Sequence, residues 1–218
     1  MLGDRNFRGM VEKAFDSLYE DLRIKIDRNN NDRIHALEAS YCTRLAYYER
    51  KDPIPPDNTS KISILISDGI RKALSNKKGE YRVDALTLEA QADMVIGNDF
   101  LVHFEIVPEL PEVPHPRHLL YLNACLFALD KPDGFLIYMT AEAKTVEYSV
   151  TKNNRMFEEI VRRARVLSTL LKDNKVPIVE PSDLCLRCRY YSRCYAREKI
   201  KDESTDFFAE LFGKGKQK

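Results

Sequence analysis

Four of the five cysteines are spaced for metal chemistry. In Cys185-Leu-Arg-Cys188-Arg-Tyr-Tyr-Ser-Arg-Cys194, two thiols separated by two residues can reach one metal from a single tight turn, and Cys194 falls about two turns into a following helix. A fourth ligand must come from far away. Cys42 is the best placed: in Ala39-Ser-Tyr-Cys42-Thr-Arg-Leu-Ala-Tyr47-Tyr48 it shares the Arg and paired-Tyr setting of the distal three. Cys125 lies inside the apolar run Leu119 to Leu129 and reads as core filler. An all-thiolate set with one remote member suits a 4Fe-4S cluster. Zinc is the alternative, although the second CxxC or the HxxxH pair that would favour it is absent. A redox pair or inert buried thiols are the remaining readings. Arg187, Arg189, Tyr190, Tyr191 and Arg193 weigh against inert thiols, because positive charge stabilises thiolates and is costly in an apolar core.

Asp93 and Glu105 stand twelve residues apart across a Gly97-Asn-Asp99 turn. On paired strands such carboxylates can share one face and hold Mg²⁺ or Mn²⁺. The alternative is that each is a solvated strand residue.

The elements that must position these groups follow from periodicity. Phe7, Val11, Phe15, Leu18, Leu22 and Ile26 predict an amphipathic helix over residues 4–26, and His35 to Glu49 resumes helical spacing and carries Cys42. Pro53-Ile-Pro-Pro56 breaks the chain before a helix over Ile62 to Leu74, which runs into a loop at Lys77-Lys-Gly79. Strands are expected over Tyr81 to Leu88, Ala90 to Ile96 and Phe100 to Val107, the last two joined as a hairpin. Pro108, Pro111, Pro114 and Pro116 stiffen the connector to a helix over Arg117 to Leu129. Strands over Gly134 to Met139 and Thr145 to Val150 come next. A helix over Asn153 to Lys172 then buries Phe157, Ile160, Val161, Ala164, Leu167, Leu170 and Leu171.

A chain of 218 residues, 44% hydrophobic and 32% charged, can bury a real core. Its formal net charge of +1 gives no global case for nucleic acid, so any basic surface must be local. No run of eighteen apolar residues is present and Met1 to Arg8 lacks the apolar stretch of a secretion signal, so the expectation is a cytoplasmic protein with no membrane partner. The expected organisation is an N-terminal amphipathic helix over 1–34, a main domain over 35–200 and a charged tail over 201–218.

The order of these elements carries a resemblance. With Cys42-Thr-Arg-Leu-Ala-Tyr-Tyr, Ala92-Asp93-Met-Val, Phe104-Glu105-Ile, the Pro-rich connector into Arg117-His-Leu-Leu-Tyr-Leu-Asn-Ala, Gly134-Phe-Leu-Ile-Tyr and the final CxxCx5C, residues 35–200 resemble the CRISPR-associated exonucleases of the RecB-like PD-(D/E)XK family. These carry an iron–sulfur cluster. The resemblance implies an α/β fold: a restriction-endonuclease-like core, with a mixed central sheet flanked by helices, and a helical iron–sulfur subdomain formed by both ends of the chain. It implies cluster ligands at Cys42, Cys185, Cys188 and Cys194, and metal-binding acids at Asp93 and Glu105. It also implies a His, a Lys and a Gln-x-x-x-Tyr, and these are not met. The Lys position is Val107, the helix expected to carry Gln and Tyr shows Tyr121 and Cys125, and Asp68-Gly69-Ile70-Arg71 lacks the His that follows a Gly. His35, His103 and His118 lie elsewhere. An aliphatic side chain cannot position the attacking water or stabilise charge on the phosphate.

The expected function is therefore a DNA-binding iron–sulfur protein, weakly active or catalytically inactive, acting in DNA processing or CRISPR adaptation on single-stranded DNA. The alternatives are an active Mg²⁺- or Mn²⁺-dependent nuclease, with Lys144 as a migrated lysine, and a scaffold that holds a protein partner through the tail motif Asp206-Phe-Phe-Ala-Glu-Leu-Phe212.

Overall fold

The computed structural model describes residues 7–74 and 76–195. The expected tail over 201–218, with its motif at 206–212, lies outside the described residues. In order the elements are α1 (Phe7–Leu22), β1 (Arg33–His35), α2 (Ala36–Ser40), α3 (Thr43–Lys51), α4 (Asn58–Ala73), β2 (Lys77–Val83), β3 (Leu86–Ala92), β4 (Met94–Ile96), β5 (Phe100–Ile106), α5 (Pro116–Ala128), β6 (Asp133–Met139), β7 (Thr145–Thr151) and α6 (Asn154–Lys172). A 3-10 turn, Asp183–Arg187, follows.

The fold is mixed α/β, with two sheets where a single central sheet was expected. One runs β1-β3-β2, with β1 parallel to β3; the other runs β4-β5-β6-β7, with β5 and β6 parallel. The chain passes from the first to the second at Asp93, the single residue between β3 and β4. Helix α5 is apolar nearly all round and meets strands of both sheets, burying Tyr121, Leu122, Ala124, Cys125 and Leu126. Helix α6 starts where Asn153 Oδ1 accepts from Met156 N at 3.1 Å, and its stripe of Phe157, Ile160, Val161, Ala164, Leu167 and Leu171 is buried. Phe157 stacks on Phe127 of α5 with ring centroids 3.8 Å apart. At Gly79 of β2 an added Cβ would lie 2.5 Å from the Ala128 carbonyl, so the close approach of β2 to the end of α5 requires glycine there.

Several expected elements differ in detail. The strand expected over Tyr81 to Leu88 is broken by a turn, because Asp84 adopts φ 54°, which Asp tolerates, and pairs β2 with β3 as a hairpin. The loop expected at Lys77-Lys-Gly79 is the start of β2. The turn at Gly97, φ 59°, closes the β4–β5 hairpin as expected. The helix expected over His35 to Glu49 is instead two, parted at Tyr41-Cys42, and β1 precedes them. That short strand was invisible in the sequence because three residues carry no readable alternation; what fixes it is pairing with β3. On the apolar stripe of α1, Val11, Phe15 and Leu18 are 54%, 43% and 50% exposed. None of the described helices is long and apolar enough to cross a membrane.

Candidate functional site

Two clusters of charged and sulfur-bearing residues stand out. The first is built around Asp93. Held in the crossing between the sheets, Asp93 is fully buried, and its carboxylate accepts from the Phe104 backbone N–H at 2.6 Å. On β5, His103 and Glu105 share a face because strand side chains alternate. His103 Nδ1 lies 2.8 Å from Asp93 Oδ2, and its Nε2 lies 2.9 Å from Glu105 Oε1. Helix α4 supplies Asp68 and Arg71, three residues apart and so on one helical face. Arg71 donates from Nε to Asp93 Oδ1 at 2.8 Å and from Nη1 to Asp68 Oδ1 at 2.7 Å, with Nη2 3.8 Å from Glu105 Oε1.

This geometry fixes the charges. Burial opposes an imidazolium at His103, but the two carboxylates that grip both ring nitrogens push its pKa up to about 9, so both nitrogens donate at neutral pH. Burial likewise opposes a charged Glu105; the bond and charge of His103, with the charge of Arg71, hold it down at about 2. Asp93 is lowered by the same partners against the same cost. Arg71 stays charged among the acids. Burial raises Asp68, partly offset by Arg71. His118 is neutral: burial brings its pKa to about 3, and its Nε2 accepts from Arg117 Nε at 2.9 Å while Nδ1 donates to Tyr138 Oη at 2.9 Å. Three carboxyl groups, Asp68, Asp93 and Glu105, thus face two internal cations, Arg71 and His103.

The structure links Asp93 and Glu105 through His103 and Arg71. Asp93 is in neither strand of the hairpin, and both acids are committed to protein cations. Val107 packs against the core just past β5, and Lys144 lies in the exposed turn before β7. Tyr121 is fully buried with its hydroxyl donating to the Gln91 carbonyl at 2.6 Å, and Cys125 is core filler as expected. A cavity of about 400 Å³ leads outward from Asp68, Arg71 and Glu105 to Arg23, Arg28 and Arg189.

The second cluster is the sulfur region. Cys42 sits in the break between α2 and α3, extended at φ −66°, ψ 122°. The break is pinned from α6: Arg163 donates from Nε to the Ala39 carbonyl at 2.6 Å and from Nη2 to that of Tyr41. The distal cysteines are docked on α3 by aromatic and charged contacts. Tyr190 is fully buried, stacks on Tyr48 with centroids 5.4 Å apart, and accepts from Ile54 N at 2.8 Å. Arg189 binds Glu49, and Arg193 reaches the Asp52 carbonyl at 2.8 Å while lying over both tyrosine rings. Ser182 N donates to Cys185 Sγ at 3.4 Å.

No disulfide links the five cysteines. Burial raises the thiols of Cys188 and Cys194; each is raised further by Cys42 and Cys185, so the four sense one another's charge. Among the described residues no three His, Cys, Asp or Glu side chains are gathered as a metal-holding group, at either cluster. A single zinc, with Zn–S near 2.3 Å, needs thiolates about 4 Å apart. A four-iron cluster seats its ligands on a larger body, and a buried cation accompanies them here: Arg44, 8% exposed, has no hydrogen-bond partner for Nε. Four thiols are the donor set that a four-iron cluster takes.

The sequence matches no known family and no curated protein. Among solved structures the fold is similar to that of the crystallised protein SSO0001, with TM-score 0.59 and 16% identity over 86% of this chain and 94% of that one. The alkaline exonuclease LHK-Exo from Laribacter hongkongensis superposes with TM-score 0.45 and 7% identity over 73% of this chain and 93% of that one. Its complex with dAMP gives TM-score 0.44 and 7% identity over 65% and 88%. The likeness to SSO0001 is one of fold alone.

Proposed function

We propose that this chain is a nuclease-type fold that binds DNA, carries a 4Fe-4S cluster on Cys42, Cys185, Cys188 and Cys194, and has exchanged its hydrolytic metal for protein cations. One observation carries the loss of hydrolysis. Where the resemblance implies a histidine after the Gly of α4, the helix delivers Arg71, whose guanidinium bonds Asp93 and approaches Glu105. With His103 it neutralises the acids that would otherwise hold Mg²⁺ or Mn²⁺, and Val107 offers nothing to the attacking water. The cluster's own chemistry would be to cross-link α3 to the end of the domain and to accept or release an electron. Around it, Tyr190 and Arg163 hold the cysteine-bearing backbone in place without metal.

Arg23, Arg28 and Arg189 line the cavity that opens from Glu105, each paired with Glu20 or Glu49, and are the groups that the phosphates of single-stranded DNA would draw from those pairs. A role in CRISPR adaptation or related DNA processing rests on the sequence resemblance. The test is a labelled single-stranded DNA incubated with anaerobically purified protein and Mn²⁺. Binding without cleavage is expected. Metal-dependent cleavage abolished by Asp93→Asn would overturn the inactive reading. A broad absorbance near 400 nm, absent from Cys188→Ser, is the expected mark of the cluster; a colourless protein containing zinc would remove it.

A further inference from the structure

Among the described residues the two sheets present four edge strands. Three are guarded in ordinary ways. β1 and β4 are only three residues long, and β2, Lys77-Lys-Gly-Glu-Tyr-Arg-Val83, sets Lys77, Lys78, Glu80 and Arg82 along its length. The fourth is β7, Thr145-Val-Glu-Tyr-Ser-Val-Thr151, which runs seven residues with no proline, glycine, lysine or arginine and a single charge, Glu147.

Which backbone groups β7 offers follows from its ladder. At either end of the β6–β7 register, Thr140 N donates to the Lys144 carbonyl at 2.9 Å and Lys152 N to that of Pro132 at 2.8 Å. Bonded and unbonded pairs alternate in an antiparallel ladder, so the even-numbered residues of β7 turn their backbone groups toward β6. Thr145, Glu147, Ser149 and Thr151 turn theirs outward. Asn123 Nδ2 reaches the Thr151 carbonyl at 3.5 Å. Among the described residues nothing bonds the outward groups of Thr145, Glu147 and Ser149, and all three residues are exposed.

We propose that β7 pairs with itself: two copies of the chain join their β7 strands antiparallel about a two-fold axis at Tyr148, making one continuous sheet from two four-stranded ones. Such an interface is isologous and closes at a dimer. With the axis at Tyr148 the strand is paired along its whole length. Thr145 faces Thr151 of the second copy, Val146 faces Val150, and Glu147 faces Ser149, with which it exchanges both backbone bonds. Val146, Tyr148 and Val150 lie on the core side, so their pairing across the axis extends the apolar layer. A register centred on Glu147 would set two carboxylates directly opposite each other, which is unfavourable. One centred on Ser149 would leave Thr145 against Asn153, the N-cap of α6. Neither charged cluster takes part.

The experiment measures the mass of the full chain by analytical ultracentrifugation across a range of concentrations under reducing conditions, with hydrogen exchange of residues 145–151 at both extremes. A dimer is expected, and its formation slows exchange at Thr145, Glu147 and Ser149. Ser149→Glu places carboxylates opposite each other twice about the axis and is expected to weaken association about tenfold. Adding Glu147→Lys makes both pairs opposite in charge and is expected to restore the dimer. Far-ultraviolet circular dichroism checks that each variant is folded. A monomer at every concentration would overturn the proposal, as would a dimer indifferent to Ser149→Glu or one that the second substitution does not restore. Protection of the same amides in the monomer also overturns it, because the chain would then cover its own edge. Should Ser149→Glu not fold, Ser149→Lys, facing Glu147 across the axis, is expected to tighten the dimer, and unchanged association there counts against the pairing.

Discussion

The two clusters meet the problem of buried charge in opposite ways. Around Asp93 the protein supplies both signs: Arg71 and His103 meet Asp93 and Glu105 at hydrogen-bond distances, with both nitrogens of the imidazole used. Around the cysteines no such pairing is made: burial raises the thiols of Cys188 and Cys194, and the buried Arg44 has no hydrogen-bond partner for Nε. The difference teaches that residue type alone does not mark a metal site. Two carboxylates in a cavity are an invitation to a cation only while no protein cation has already taken the place.

The largest effect that would break this comparison is at Arg71. Arg71→Leu leaves Asp68, Asp93 and Glu105 against a single imidazolium, and removing one partner of a buried pair costs about 3–5 kcal/mol. Urea denaturation should show that loss, with part of it restored in Arg71→Leu/Asp93→Asn. A change under about 1 kcal/mol would mean that the cation is not needed to complete the site.

Next comes pH. An ordinary histidine titrates near 6.5 in the unfolded chain, and His103 titrates near 9 in the folded one. Its stabilisation is fully present below about 6.5 and is lost as pH rises through about 9. Wild-type stability should fall across that interval, and His103→Gln should flatten the slope; an unchanged slope would show that His103 is neutral throughout.

Smaller effects sharpen the sulfur side. Tyr190→Phe removes the hydrogen bond from Ile54 N but keeps the stack on Tyr48, so a stability loss of about 1 kcal/mol is expected by thermal or chemical denaturation. Smallest is Glu49→Gln, which weakens a pair with Arg189 at the protein surface and should move the denaturation midpoint by the equivalent of less than about 1 kcal/mol.

Much of the architecture was readable from the chain. The 3.6-residue stripe of α6 and the Gly97 turn between β4 and β5 appear where periodicity and turn chemistry put them. Asp93, Glu105 and the four cysteines stood out by type and spacing. The partners did not. His103 could have been suspected from its place two residues before Glu105 on one strand face, and Arg71 from its place one turn after Asp68. Neither signal, however, says that helix α4 and strand β5 converge on the bend at Asp93. Cys42 was expected within a helix and sits in a break that Arg163 holds from 122 residues away.

By itself the sequence determined local matters: which segments are helical or extended, which faces are apolar, and which residue types are available for metal and acid chemistry. These depend on neighbours a few positions apart. Tertiary structure alone decided how each charged group is compensated, because the energy of a buried charge depends on atoms within a few ångströms in space. Those atoms come here from α4, β5 and the sheet crossing for the acids, and from the α2–α3 break and the last described turn for the thiols.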